Sequence, residues 1–143
     1  MQGAMYKGTH TQTVDAKGRM VFPSKLRELL GDSFTLTKGV GGCIFVYSLE
    51  AFAEKAEKLN SLPMATALTL QRSFMANATD VEADKQGRIL IPARLRELAG
   101  LENEAAVIGV SDHCEIWNPE RWNELNDSVS DEDFMKALEG SNF

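Results

Sequence analysis

Asp15-Ala16-Lys17-Gly18-Arg19-Met20-Val21-Phe22-Pro23-Ser24-Lys25-Leu26-Arg27-Glu28-Leu29-Leu30-Gly31 returns later in the chain as Asp84-Lys85-Gln86-Gly87-Arg88-Ile89-Leu90-Ile91-Pro92-Ala93-Arg94-Leu95-Arg96-Glu97-Leu98-Ala99-Gly100. At a constant offset of 69, nine of the 17 positions are identical, and most of the others are conservative pairs such as Met20/Ile89 and Lys25/Arg94. Unrelated segments of this length share about one residue by chance, so the chain carries a tandem duplication.

Each copy reads the same way. Val14 and the apolar run Met20-Val21-Phe22 flank a short Gly-containing loop, the pattern of a β-hairpin with a left-handed glycine. An Asp opens such a turn well, because its carboxylate accepts from backbone N–H groups two residues on. Pro23 and Pro92 end a strand and suit the first turn of a helix. Leu26, Leu29 and Leu30, like Leu95, Leu98 and Ala99, fall at i, i+3 and i+4, which gives each helix one apolar stripe closed by Gly31 or Gly100. Two more strands are predicted in each copy, near Phe34–Thr37 and Cys43–Tyr47, then near Ala106–Val110 and Glu115–Trp117.

The repeat unit is thus hairpin, short helix, second hairpin, an α+β arrangement dominated by strands. Four short strands leave open edges, and two copies can cover them by pairing into a small barrel about a pseudo-two-fold axis. Residues 5–48 and 77–118 are the two repeats, 49–76 a helical connector broken around Asn60–Pro63, and 119–143 an acidic helical segment with a last helix over Asp131–Leu138. Residues 1–4 read as an expression remnant or an alternative start.

Composition narrows the class further. The 143 residues are 43% apolar and 25% charged, as in an ordinary globular protein. No apolar run approaches the roughly 18 residues of a membrane span, and no basic-then-apolar leader opens the chain, so a cytoplasmic protein is expected. Cys43 and Cys114 are expected as free buried thiols, and the sequon Asn77-Ala78-Thr79 as incidental. The net charge of −6 is unevenly spread: residues 1–101 hold 13 bases and 10 acids, residues 102–143 hold 2 bases and 11 acids. A mildly basic body therefore precedes an acidic end, and local charge rather than net charge governs contact with phosphate.

An Asp that holds a guanidinium in a hairpin tip suits bidentate contact with guanine O6 and N7, or with phosphate. Arg19 and Arg88 are the candidate base readers. Asp15 and Asp84 are the orienting carboxylates, Gly18 and Gly87 the turn residues, and Lys17 and Lys85 the phosphate-attracting partners. The second loop has Gln86 where the first has Lys17, so the two differ in charge arrangement. The polar helix faces bearing Lys25, Arg27, Arg94 and Arg96 are expected to be solvated.

Other chemistry is poorly supplied. Gly39-Val40-Gly41-Gly42 lacks the following Lys and Ser/Thr of a phosphate cradle and leads into a strand, so it reads as a turn. There is no Gly-x-Ser-x-Gly elbow, and His10 and His113 with the two cysteines lack zinc-ligand spacing. An enzyme is not expected, nor a cofactor, metal or small-molecule substrate.

The paired Asp-x-x-Gly-Arg motifs, each running into an apolar triplet, Pro and an Arg-Glu-Leu helix, resemble the MraZ family and, more widely, AbrB/MazE-type swapped-hairpin transcription factors. Thr35–Tyr47 and Val107–Trp117 resemble the family's second hairpins, and the likeness spans Met5 to Asn126. The resemblance implies a double-split (swapped-hairpin) β-barrel and ring-like homo-oligomers. It further implies binding to tandem short G-rich promoter boxes in double-stranded DNA. Regulation of the division and cell-wall gene cluster, usually repression, and a nucleoid-associated location come with it. Its DNA-reading motif falls on Asp15–Arg19 and Asp84–Arg88. The apolar residues Leu49, Phe52, Leu59, Leu62, Leu68, Leu70 and Phe74 of the connector exceed what a small barrel buries and favour self-association. The alternative is an antitoxin-like barrel whose acidic end wraps a protein partner; such antitoxins generally carry one hairpin copy per chain.

Overall fold

Pro23 and Pro92 each sit at the junction where extended backbone turns helical, with ψ of 125° and 142°. The computed structural model describes residues 5–143. In chain order it runs β1 (Thr9–Thr13), β2 (Arg19–Val21), α1 (Ser24–Leu30), β3 (Ser33–Lys38), β4 (Ile44–Ser48) and α2 (Leu49–Lys58). A 3₁₀ turn, Leu59–Ser61, leads to α3 (Met64–Leu70), which continues into a π turn, Gln71–Met75. The second half repeats the plan as β5 (Thr79–Glu82), β6 (Arg88–Leu90), α4 (Ala93–Ala99), β7 (Glu104–Gly109), β8 (Cys114–Trp117), α5 (Pro119–Ser128) and α6 (Asp131–Gly140).

The first hairpin of each copy differs from the sequence expectation. Val14 does bridge Met20, but beyond that point the two strands part and pair with the other repeat. Strand β1 lies along β7, from Thr9↔Ile108 to Thr13↔Glu104, and β5 lies along β3, from Ser33↔Glu82 to Leu36↔Thr79. The short strands β2 and β6 pair with each other. A self-contained hairpin would leave β3 and β7 each with an open edge; exchange covers both and ties the repeats together. The result is a six-stranded antiparallel sheet, β1-β7-β8-β4-β3-β5, and a separate two-stranded ribbon, β2-β6. Neither sheet closes on itself by hydrogen bonding; the architecture is a mixed α/β arrangement in which the ribbon packs on the large antiparallel sheet.

One core joins the layers. Met20 and Ile89 turn inward from the ribbon, with Phe22, Ile91, Leu26 and Leu95, onto Phe34, Leu36, Val46, Val107 and Ile116 of the sheet. Phe22 and Phe34 meet at 4.8 Å between ring centroids. The sheet's opposite face is covered by a smaller cluster of Cys43, Ala106, Ile108 and Trp117, packed with Phe45, Val110 and Trp122. Strands buried on both faces explain the near-continuous apolar runs of β4 and β7. In α1 only Leu26 and Leu30 are buried, whereas Leu29 is 46% exposed, so the buried stripe is narrower than i, i+3, i+4.

The duplication reaches further than the motifs suggested. Helices α2 and α5 follow β4 and β8 directly, and an aromatic pair recurs at each junction: Tyr47 with Phe52 at 6.3 Å and Trp117 with Trp122 at 5.9 Å. In the first copy the chain then folds back, Phe74 stacks on Phe52 at 5.2 Å, and Thr37 Oγ1 donates to the Phe74 carbonyl at 2.5 Å. In the second copy α6 makes no such return, and every residue from 131 to 143 is exposed.

Candidate nucleic-acid interface

Two five-residue loops are built identically. In the first, the Gly18 N–H donates to the Asp15 carbonyl and the Asp15 N–H to the Arg19 carbonyl, both at 3.0 Å. Asp15 Oδ1 accepts from the backbone N–H groups of Lys17 and Arg19 at 2.9 Å, and Oδ2 from Arg19 Nε at 2.8 Å. In the second, Asp84 Oδ1 accepts from Gln86 and Arg88 N–H at 2.9 Å, and Oδ2 from Arg88 Nε at 2.8 Å. The Arg19 and Arg88 backbone N–H groups lead in holding the two carboxyls below the usual carboxylate range, helped by the guanidiniums; both are ionised at neutral pH.

This bonding uses only Nε. Among the described residues nothing accepts from Nη1 or Nη2 of either arginine, so each guanidinium keeps the two-donor edge that fits a guanine or a phosphate. Both side chains are partly exposed, 39% for Arg19 and 36% for Arg88. The Lys17 and Lys85 side chains are exposed on the same loops, while Gly18 and Gly87 are buried beneath them.

Register decides how the arginines relate. Arg19 pairs with Leu90 and Arg88 with Val21, so the two arginines are diagonal neighbours, roughly 7–8 Å apart at the backbone, across the pair Met20↔Ile89. Strand alternation sends Met20 and Ile89 inward and leaves Arg19, Val21, Arg88 and Leu90 on one outward face. The loops therefore flank a ribbon, one at each end. Val21 is 44% exposed and Leu90 56%, an aliphatic pair between the guanidiniums that the sequence reading did not single out. Its signal was there in the i, i+2 spacing from each arginine.

Lys25 and Arg94 are exposed as expected. Arg27 and Arg96 are not simply solvated: Arg96 Nε donates to the Ile91 carbonyl at 2.9 Å, and Arg27 Nη1 reaches Asp32 at 3.3 Å. Cys43 and Cys114 are buried and unpaired, with burial pushing both thiols up to about 12. They are inert at neutral pH. His113, which lacks zinc-ligand spacing with the cysteines, is held between Asp112 and Glu115, at 2.7 and 3.1 Å, on the face of Tyr47.

Two exchanged repeats that share an arginine-bearing two-stranded ribbon define a class of internally duplicated, strand-rich proteins. The profile of the family described as "MraZ protein, putative antitoxin-like" matches the chain twice, over residues 5–72 and 74–141. The chain belongs to the MraZ family. It is 47% identical over 142 residues to the transcriptional regulator MraZ of Thermoanaerobacter sp. (strain X514), covering 96% of this chain and 99% of the relative. The Acetivibrio thermocellus protein of the same name is 47% identical over 135 residues, covering 93% and 92%. That of Lachnoclostridium phytofermentans is 49% identical over 119 residues, covering 82% and 84%. These names support a role in transcriptional regulation and belong to no enzyme class. Among the described residues no helix is long and apolar enough to cross a membrane.

Proposed function

We propose that the protein is a sequence-specific DNA-binding transcriptional regulator whose β2–β6 ribbon enters the major groove. The observation that carries this is the diagonal placement of Arg19 and Arg88 on one exposed ribbon face, each partly exposed and bonded within the chain through Nε alone. A major groove about 12 Å wide admits a two-stranded ribbon, and arginine bound bidentately to guanine O6 and N7 is the commonest base-specific contact. Two such residues suit short G-rich boxes. The aliphatic pair Val21 and Leu90 offers apolar contact to thymine methyl groups between them. Lys17 and Lys85 add sequence-independent attraction to the backbone.

Repression of the division and cell-wall gene cluster in the nucleoid, through tandem boxes, is part of the same reading, as is assembly into a ring. What supports assembly is a groove between the repeats beside Trp117, lined by Val40, Gly41, Trp117, Arg121, Glu124 and Leu125, whereas the first copy covers its own aromatic pair by stacking Phe74 on Phe52. Helix α6 carries exposed Phe134, Met135 and Leu138, and in this reading it seats in that groove on a second copy of the chain. Repeated subunits on repeated boxes then gain by avidity.

A gel shift with the DNA immediately upstream of the protein's own coding region tests the reading. Arg19→Ala and Arg88→Ala are each expected to cost about 1–3 kcal/mol of specific binding per lost bidentate contact. Unchanged discrimination between that DNA and a scrambled copy would remove the assignment and favour the antitoxin-like, protein-binding alternative.

A further inference from the structure

We propose that Arg27 and Arg96 are positioning residues that act across the repeat boundary: Arg96, on the helix of the second repeat, holds the first loop, and Arg27, on the helix of the first, holds the second. Their effect on DNA rests on the reading given above; the brace itself stands on geometry.

The contact begins at the glycines. A Cβ placed on Gly18 would lie 2.5 Å from both Cζ and Nε of Arg96, and one on Gly87 would lie 3.1 Å from Nη2 and 3.3 Å from Cζ of Arg27. Each guanidinium thus lies against the bare backbone of the loop that belongs to the other copy. Hydrogen bonds follow the same crossing. The Ile91 N–H donates to the Gly18 carbonyl and the Phe22 N–H to the Gly87 carbonyl, both at 2.9 Å, which lengthens the ribbon by a pair at each end. Ile91 then passes the connection on, since its own carbonyl accepts from Arg96 Nε at 2.9 Å. Arg96, Ile91 and Gly18 form one linked unit, and Gly18 is the residue before Arg19.

The two braces are unequal. Arg27 Nε is buried without a partner, while its Nη1 is drawn to Asp32 at 3.3 Å. The position 69 residues after Asp32 is Leu101, so no carboxylate competes for Arg96 at the equivalent place. An unpartnered donor makes the Arg27 clamp the weaker of the two, and the second loop is therefore the softer reader.

The test has two independent readouts. In the DNA-free protein, Arg96→Met, which keeps the apolar stem, is expected to speed amide hydrogen exchange at Gly18 and Arg19 about fivefold or more by opening that loop, leaving Gly87 and Arg88 within about twofold. Arg27→Met is expected to do the converse, with a smaller change. Arg96→Gln replaces Arg96→Met if urea unfolding shows the latter is not folded. Equal changes at both loops, or none, overturn the brace. On DNA, Arg96→Met is expected to lower discrimination between the upstream DNA and a scrambled copy. Its effect should be largely lost in an Arg19→Ala background and retained in full beside Arg88→Ala. Uniform weakening on both DNAs, additive with both arginines, would make Arg96 a phosphate contact and overturn its positioning role. If Arg19→Ala itself leaves discrimination intact, the DNA reading fails while the exchange result still decides the brace.

Discussion

Asp15 spends both carboxylate oxygens on its own loop, two backbone N–H groups on one and a guanidinium Nε on the other. An isolated exposed ion pair contributes little, about 0–1 kcal/mol, so its value here is geometric: the loop holds the Arg19 side chain in one orientation. The same scale explains why the loop glycines cannot be exchanged freely. Gly18 and Gly87 have φ of 86° and 80°, and side-chain-bearing residues are strained there by about 1–3 kcal/mol. Only Gly18 would also drive a methyl group into Arg96 at 2.5 Å, against 3.1 Å for Gly87 and Arg27. Gly18→Ala is therefore expected to lower the urea midpoint more than Gly87→Ala does, and equal losses would show that backbone strain alone sets the cost.

Among the elements, the β7–β8 turn carries a device that local motif reading passed over. His113 Nδ1 faces Asp112, Nε2 faces Glu115 Oε2, and Glu115 Oε1 accepts from Trp117 Nε1 at 2.8 Å. The imidazole stacks on Tyr47 at 5.1 Å and meets the edge of Phe45 at 4.7 Å, while Lys55 of α2 lies 5.3 Å over the Tyr47 ring. Burial works against the charged imidazolium, but the hydrogen bonds it donates to Glu115 and Asp112 outweigh it and raise the pKa above its ordinary value. A histidine raised in the folded state contributes stability that is fully present below about pH 6.5 and is lost as pH climbs through the folded value. Urea midpoints are thus expected to fall as pH rises above about 6.5, and His113→Gln is expected to flatten that slope. A slope unchanged in His113→Gln would place the titration elsewhere.

At the scale of the molecule, the proposed assembly rests on the groove beside Trp117 and the exposed apolar side chains of α6. Replacing Phe134 and Leu138 together by Asp removes the apolar contact and adds charge, and light scattering is expected to move toward the 15.8 kDa of a single chain. A mass identical to that of the unaltered protein would show that α6 takes no part. The acidic residues of the last two helices were legible as a charge asymmetry, and the apolar excess of the connector as a patch in need of cover. Which copy covers its own aromatic pair was not, because Phe74 reaches Phe52 only through the reversal between α2 and α3 at Leu62 and Pro63.

Sequence alone determined the duplication, the short helices behind each proline, the second hairpins and the Asp-to-Arg loops, because each depends on residues within a few positions of one another. The offset of 69 was visible without coordinates, and so were the two arginines. Strand exchange was implied only by the family resemblance, not by any local pattern. Thr9–Thr13 is polar, and its pairing with Glu104–Ile108 joins residues 91 to 99 positions apart, which no local pattern encodes. The tertiary structure alone decided that Arg19 and Arg88 share one face as diagonal neighbours, that Val21 and Leu90 lie between them, and that each loop rests on an arginine from the other repeat. Those relations follow from register across β2 and β6, and register is settled by burying Met20 and Ile89 in a common core.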